Sequence, residues 1–222
     1  MRKASLHPKL CPILAQYSSQ QWSDIFESAE TLSTGKKQIV KAFSHEGKNY
    51  ILKKYSELGL LSSLRLLINF SRADNAFTFA QTLQANQIGC PDHLLVLKNI
   101  HINTSNTYLL MARAPGTPLF DFIQKDTSLT LSRQAVINLT NMIRKLQSLG
   151  IAHGDLHTRN FIINHDDSVQ LIDLDNARFS RKRCKKDTKR LVEALKKNTN
   201  ITQPLLDSLA ENKKASNNAL PA

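Results

Sequence analysis

Polar and apolar residues alternate with the period of strands in the first half of the chain. Gln38-Ile39-Val40-Lys41-Ala42-Phe43 and Asn49-Tyr50-Ile51-Leu52-Lys53-Lys54-Tyr55 read as two strands around a turn at His45-Glu46-Gly47-Lys48, with Thr31 to Gly35 leading in. Leu58 to Phe70 is strongly apolar with Arg65 as its sole charge, and is expected as a core helix, an interfacial membrane helix being the alternative. Arg72 to Asn86 repeats apolar or small residues at Ala73, Ala76, Phe77, Ala80 and Leu83, a helical period that Gly89 and Pro91 stop. Leu94 to Ile100 and Asn106 to Met111 are two further strands, and Ala112-Arg113-Ala114-Pro115-Gly116 reads as a hinge. Ser132 is placed to cap a helix that runs to Leu149, with Gly150 after its end. Residues 1–30 show no clear period and are set apart as an N-terminal extension. A short helix is expected to end at Val192-Glu193-Ala194-Leu195, and the small, polar residues from Lys213 onward are expected to be disordered.

The most specific stretch is Ile151 to Arg178. Phe161-Ile162-Ile163-Asn164 and Val169-Gln170-Leu171-Ile172-Asp173 are two short apolar runs around the turn formers His165-Asp166-Asp167-Ser168, so a β-hairpin with a four-residue loop is predicted. A symmetric loop would set Phe161 opposite Ile172 and Asn160 opposite Asp173, their Cα atoms roughly 4.5–5.5 Å apart. Two oxygen-bearing side chains would then meet at one point, which suits Mg²⁺, a cation held by a few protein oxygens together with phosphates and water. Asp155 lies one loop earlier, where it can take or orient the proton of an acceptor hydroxyl. Metal, phosphates and a positioned carboxylate are the parts of phosphoryl transfer.

His153-Gly154-Asp155-Leu156-His157, followed three residues on by Asn160, resembles the catalytic loop of the protein-kinase-like superfamily, in the branches that include RIO, Bud-type, aminoglycoside and choline kinases. The continuation Leu171-Ile172-Asp173-Leu174-Asp175-Asn176-Ala177-Arg178 is similar to the lipopolysaccharide core (heptose/Kdo) kinase family. Lys186-Asp187-Thr188-Lys189-Arg190-Leu191 approximates a later segment of that family. The resemblance implies an α+β, two-lobed protein-kinase-like fold with a reduced C-terminal lobe, and ATP in the interlobe cleft. It divides the chain into an N-terminal lobe over 31–114, a C-terminal lobe over 115–203 and a disordered tail over 204–222. It implies Asp155 as catalytic carboxylate, Asn160 and Asp173 as Mg²⁺ ligands, and a sugar hydroxyl of the lipopolysaccharide inner core as acceptor. Two other functions stay open: an atypical Ser/Thr protein kinase of RIO or Bud type, and a non-catalytic nucleotide-binding scaffold.

The strand ending Ile51-Leu52-Lys53-Lys54-Tyr55 resembles the one that carries the nucleotide-gripping lysine. Neighbouring strand residues face opposite ways, so only one of Lys53 and Lys54 can grip the nucleotide; the resemblance to the family's apolar-Lys-basic-Tyr pattern implies Lys53, with Lys54 in solvent. Gly35 stands alone where a glycine-rich loop would lie. The following helix has Ala76 where kinases place a glutamate, and Asp74 is its only acid. His153 is expected to brace the catalytic loop, and His157 to face the nucleotide or acceptor.

Composition adds a direction to this picture. The 222 residues carry a net charge of +12, and eight Lys or Arg against one Asp between Arg178 and Arg190 supply +7 of it. Such a run is either a solvated face or an attractor for an anionic acceptor or an anionic membrane surface. Nucleic acid is not expected, because only Phe179 is available there for base stacking. The three cysteines, Cys11, Cys90 and Cys184, fit neither a disulfide framework nor a zinc site. No signal peptide and no membrane span is read, so a soluble or at most peripheral protein is expected, and the family resemblance implies a cytoplasmic one, peripheral on the cytoplasmic face of the inner membrane.

Overall fold

The computed structural model describes residues 2–10, 12–58, 71–99, 104–124 and 129–196. Most of the apolar stretch from Leu58 to Phe70, and the tail over 204–222, therefore lie outside the described residues. The chain forms two compact units, one of residues 1–85 and 91–113, the other of 86–90 and 114–222. Helices and sheets are mixed in an α+β arrangement, and the first unit is rich in sheet.

That unit is built on six antiparallel strands: β1 (Arg2–Leu6), β2 (Glu30–Thr34), β3 (Gln38–His45), β4 (Lys48–Leu58), β5 (His93–Asn99) and β6 (Thr104–Ala112), in the order β1-β5-β6-β4-β3-β2. The expected turn between β3 and β4 is present. His45 pairs with Lys48, and Glu46 and Gly47 both take positive φ, 49° and 71°, as a two-residue hairpin turn with the twist of its strands requires.

Residues 1–30, expected as a separate extension, are part of this unit. β1 pairs with β5, and α1 (Pro12–Gln16) and α2 (Ser19–Ser28) close one face of the sheet. Leu14, Trp22 and Phe26 form one apolar cluster there with Tyr50, Leu52, Leu97, Tyr108 and Leu110. The start of α2 is fixed by a reciprocal cap: Gln21 N–H donates to Ser18 Oγ, and Ser18 N–H donates to Gln21 Oε1. Lys54 opens onto this face and is not solvated as expected. It is half-buried, with its ammonium 5.2 Å from the Phe26 ring centre and 5.9 Å from that of Tyr108.

The helix read over 72–86 is α3 (Arg72–Ala85), and it buries Ala73, Ala76, Phe77, Ala80 and Leu83 as its period predicts. Its single acid does find a lysine, but on β5. Asp74 Oδ2 lies 2.7 Å from Lys98 Nζ, with the Lys98 side chain fully enclosed. The same oxygen accepts from Ser71 N–H and Ser71 Oγ–H, at 3.0 and 2.6 Å, at the start of the helix. Such a pair fixes where the helix sits on the sheet, because each charge would be stranded without the other. His93, also buried, donates its Nδ1–H to Pro91 O over 2.9 Å, and burial lowers its pKa to about 4. A group so placed is neutral in the folded protein.

In the second unit, β7 (Thr117–Pro118), β9 (Phe161–Ile163) and β10 (Val169–Leu171) form a three-stranded sheet in the order β10-β9-β7. The short helix α4 (Leu119–Phe122) follows β7, and α5 (Arg133–Leu149) packs on β10. Helix α5 begins as read, with Ala135 N–H donating to Ser132 Oγ over 2.9 Å, and ends at Gly150 in the left-handed conformation, φ 67°. β8 (Ile151–Ala152) pairs with β11 (Arg178–Phe179), and α6 (Arg181–Lys196) packs against α5 and β8.

The Asp74–Lys98 pair generates a prediction. Lys98→Met should cost about 3–5 kcal/mol in urea unfolding, since it leaves a buried carboxylate without its counter-charge. Adding Asp74→Asn to that variant should recover part of the loss. Equal losses in the single and double variants would count against the pair.

Candidate active site

The hairpin at the heart of the site is present, one residue out of the expected register. Phe161 pairs with Leu171, Ile162 with Gln170 and Ile163 with Val169. The loop is therefore His165-Asp166-Asp167, three residues and not four. Asp167 closes it at φ 63°, with its N–H on Asn164 O, while Asp166 Oδ1 accepts from Ser168 N–H and Oγ–H. Ile172, not Asp173, is what Asn160 faces: Ile172 N–H donates to Asn160 O over 2.9 Å. Asp173 comes one step further on and leaves the ladder in the left-handed region, φ 65° and ψ 55°. Aspartate tolerates that backbone better than most residues. It leads into a 3₁₀ turn over Leu174–Asn176, which its side chain does not cap.

Asp155 and Asn160 are brought together directly. Asn160, 5% exposed, stands at the end of a 3₁₀ turn over Thr158–Asn160, and its Nδ2 donates to the Asp155 carbonyl over 2.9 Å. A carbonyl can only accept, so this bond sets which end of the amide is nitrogen and turns Oδ1 the other way. The Asp155 carboxylate itself is 59% exposed. A buried residue thus holds the backbone of an exposed one.

Three polar contacts hold the loop from beneath. Buried His153 bridges it to the hairpin: Nε2–H donates to Ile172 O over 2.8 Å, and Nδ1 accepts the long 3.4 Å bond from Asp155 N–H. Burial pulls the His153 pKa down, against the Ile172 carbonyl and the carboxylates of Asp173, Asp187 and Asp155, which push it up. The bracing role read for His153 is thereby seen. The third contact comes from α6, whose Asp187, 4% exposed, accepts from Gly154 N–H over 2.8 Å. Gly154 has φ 89°, and a Cβ there would lie 2.8 Å from Asn176 Cβ and from the Asn176 carbonyl oxygen, so only glycine fits.

His157 has a defined tautomer. Its Nδ1 accepts from Arg159 N–H over 3.2 Å, which puts the ring proton on Nε2, 3.5 Å from Asp155 Oδ2. The 3.3 Å approach of Asn160 Nδ2 to that same Nε2 is then a contact between two donors, not a bond. Arg159 stacks its guanidinium 4.1 Å from the Phe120 ring centre and pins the far end of the loop to α4. Lys53 belongs to the first unit, where it stands on β4, 6% exposed and paired across the strands with Val40 and Leu109. Among the described residues, no three His, Cys, Asp or Glu side chains are grouped to hold a metal ion.

Comparison with known proteins gives this loop a lineage. The model of the lipopolysaccharide kinase (Kdo/WaaP) family matches residues 17–214, nearly the whole chain and all of the loop and hairpin. The chain belongs to that family. It is also similar to the serine/threonine-protein kinase rio2 of Dictyostelium discoideum, 37% identical over 65 residues, which cover 29% of this chain and 12% of that protein. In this member of the Kdo/WaaP family, then, the resemblance read from His153 to Arg178 holds. The sequence also pointed at Asp187, by its likeness to a later family segment, without saying what it does. A lone acid inside a run of lysines and arginines was the signal.

Asp187→Ala leaves the half-buried Gly154 N–H without its partner and should cost about 1–3 kcal/mol. Faster hydrogen exchange at the Gly154 and Asp155 amides should accompany that loss. Unchanged exchange at those two amides would show that α6 does not hold the loop.

Proposed function

We propose that this protein is a two-lobed, kinase-like phosphotransferase with a reduced C-terminal lobe, moving the γ-phosphoryl of ATP to a sugar hydroxyl of the lipopolysaccharide inner core at the cytoplasmic face of the inner membrane. The observation that supports the reading is the bond from Asn160 Nδ2 to the Asp155 carbonyl, which leaves Asn160 Oδ1 to serve as an oxygen ligand while the Asp155 carboxylate stays exposed. Family membership supports a kinase that uses ATP.

The roles follow from chemistry. Asp155, exposed and braced by its backbone, would orient the acceptor hydroxyl and take up its proton as the new P–O bond forms. Asn160 Oδ1 and the Asp173 carboxylate would hold Mg²⁺, and the fit is fair: two hard oxygens, with phosphate and water left to complete the shell. When bound, the ion would supply charge neutralisation at the phosphates. Lys53 would add a second positive charge on the nucleotide, its ammonium set in a buried strand position. His157, with its Nε2–H toward Asp155 Oδ2, would keep that carboxylate in one orientation. An excess of basic residues after Asp173 suits an anionic acceptor.

The similarity to rio2 favours one second reading, a protein substrate. Incubation with ATP and Mg²⁺, with lipopolysaccharide precursors in one arm and protein substrates in the other, separates the two. Label is expected in the glycolipid, and Asp155→Ala should reduce it by about 10²–10⁴-fold. Label found only in protein would transfer the reading to a RIO-type kinase. Full activity in Asp155→Ala would remove catalysis from this loop.

A further inference from the structure

Helix α6 has two faces of different character. Cys184, Asp187, Leu191 and Leu195 are buried at helical spacing, and through Asp187 this inner face grips Gly154. From Arg178 to Lys196 the chain carries nine Lys or Arg side chains, every one exposed, and Glu193 is the only exposed acid. Lys182, Lys186 and Lys189 recur at three and four residues and so line the side opposite the buried one. With Asp187 and Glu193 subtracted, the segment holds +7 of the chain's +12. Just before the helix, on β11, stands Phe179. It is 67% exposed, the most exposed of the large apolar side chains in the described residues.

We propose that the outer face of α6, with Phe179 at its leading end, docks the protein on an anionic lipid bilayer. Two features together select this partner. A row of exposed lysines is drawn to the negative surface potential of anionic lipid. A single exposed apolar ring just ahead of the helix in sequence can enter the headgroup region, and weak signals of these two kinds combine into stable attachment. A nucleic acid would also answer to the charge, but one ring offers almost no stacking platform along nine cations. Docking on the outer face leaves the Asp187 contact untouched, because that contact is on the opposite side of the helix. Docking through α6 gives the membrane location of the proposed function a defined surface and rests on that reading for its setting, while its test needs neither ATP nor an acceptor sugar.

Sedimentation of the full chain with vesicles gives that test. Binding is expected with phosphatidylglycerol mixed into phosphatidylcholine, is not expected with phosphatidylcholine alone, and should fade as salt shortens the reach of the charges. The triple variant Lys182→Gln, Lys186→Gln, Lys189→Gln should weaken binding on the order of a hundredfold, about fivefold per lysine. Phe179→Ser should weaken it further at a fixed salt concentration. All four positions are exposed, and an unchanged thermal unfolding midpoint would show that each variant is folded. Absence of binding to the anionic vesicles, binding that the triple variant retains in full, or displacement of bound protein by RNA at lower concentrations than by soluble anionic lipid would each overturn the proposal. Vesicle binding is read without ATP or acceptor, so its failure leaves phosphate transfer to be tested on its own, and the two readings can fail separately.

Discussion

An exposed carboxylate acts on a substrate only if something rigid holds it, and here the rigidity comes from buried polar bonds to its backbone. The Asp155 side chain is free to meet solvent because the main chain on either side is taken: Asn160 Nδ2 on its carbonyl, His153 Nδ1 on its N–H, Asp187 on the N–H of Gly154. Each of these partners is buried, so each bond works where water does not compete for it. The rest of the second unit serves this loop. Hairpin β9–β10 supplies the Ile172 carbonyl that fixes the His153 ring, α5 backs the hairpin, and α6 brings Asp187.

The first unit applies the same physics to another end. Asp74 and Lys98 are both enclosed, and the cost of taking two charges out of water is offset only by a short contact and by the bonds from Ser71. Ala76 stands where kinases place a glutamate for the nucleotide lysine, and the single acid of the helix, Asp74, is engaged with a lysine on β5. Seating the helix and gripping the nucleotide are thereby given to different lysines, Lys98 and, in the proposed function, Lys53.

Much of this was legible in the sequence, for identifiable reasons. Asp155 and Asn160 lie five residues apart in one loop, and short-range spacing survives folding. The period of α3 and the cap and stop of α5 are local signals of the same kind. The hairpin register was not legible, because it turned on whether Asp167 would accept a positive φ and shorten the loop by one residue. That single choice moved Asp173 off the position opposite Asn160, since a shift of one residue changes every cross-strand partner. The Asp74–Lys98 pair joins residues 24 apart through a helix and a sheet, which no local pattern reports. The N-terminal helices are a different case. Ser18 and Gln21 form a cap motif that stands in the sequence, with Trp22 and Phe26 at helical spacing behind it, and only the mixed composition around them hid it.

In the proposed function Asn160 and Asp173 act as one cation site despite the shifted register. Electron paramagnetic resonance of Mn²⁺, titrated in the presence of ATP, reports on that site directly. Asp173→Ala should weaken Mn²⁺ binding by roughly tenfold or more, as expected when one of two protein oxygens is lost. Binding of Mn²⁺ with ATP that is the same in Asp173→Ala as in the unaltered protein would contradict the account.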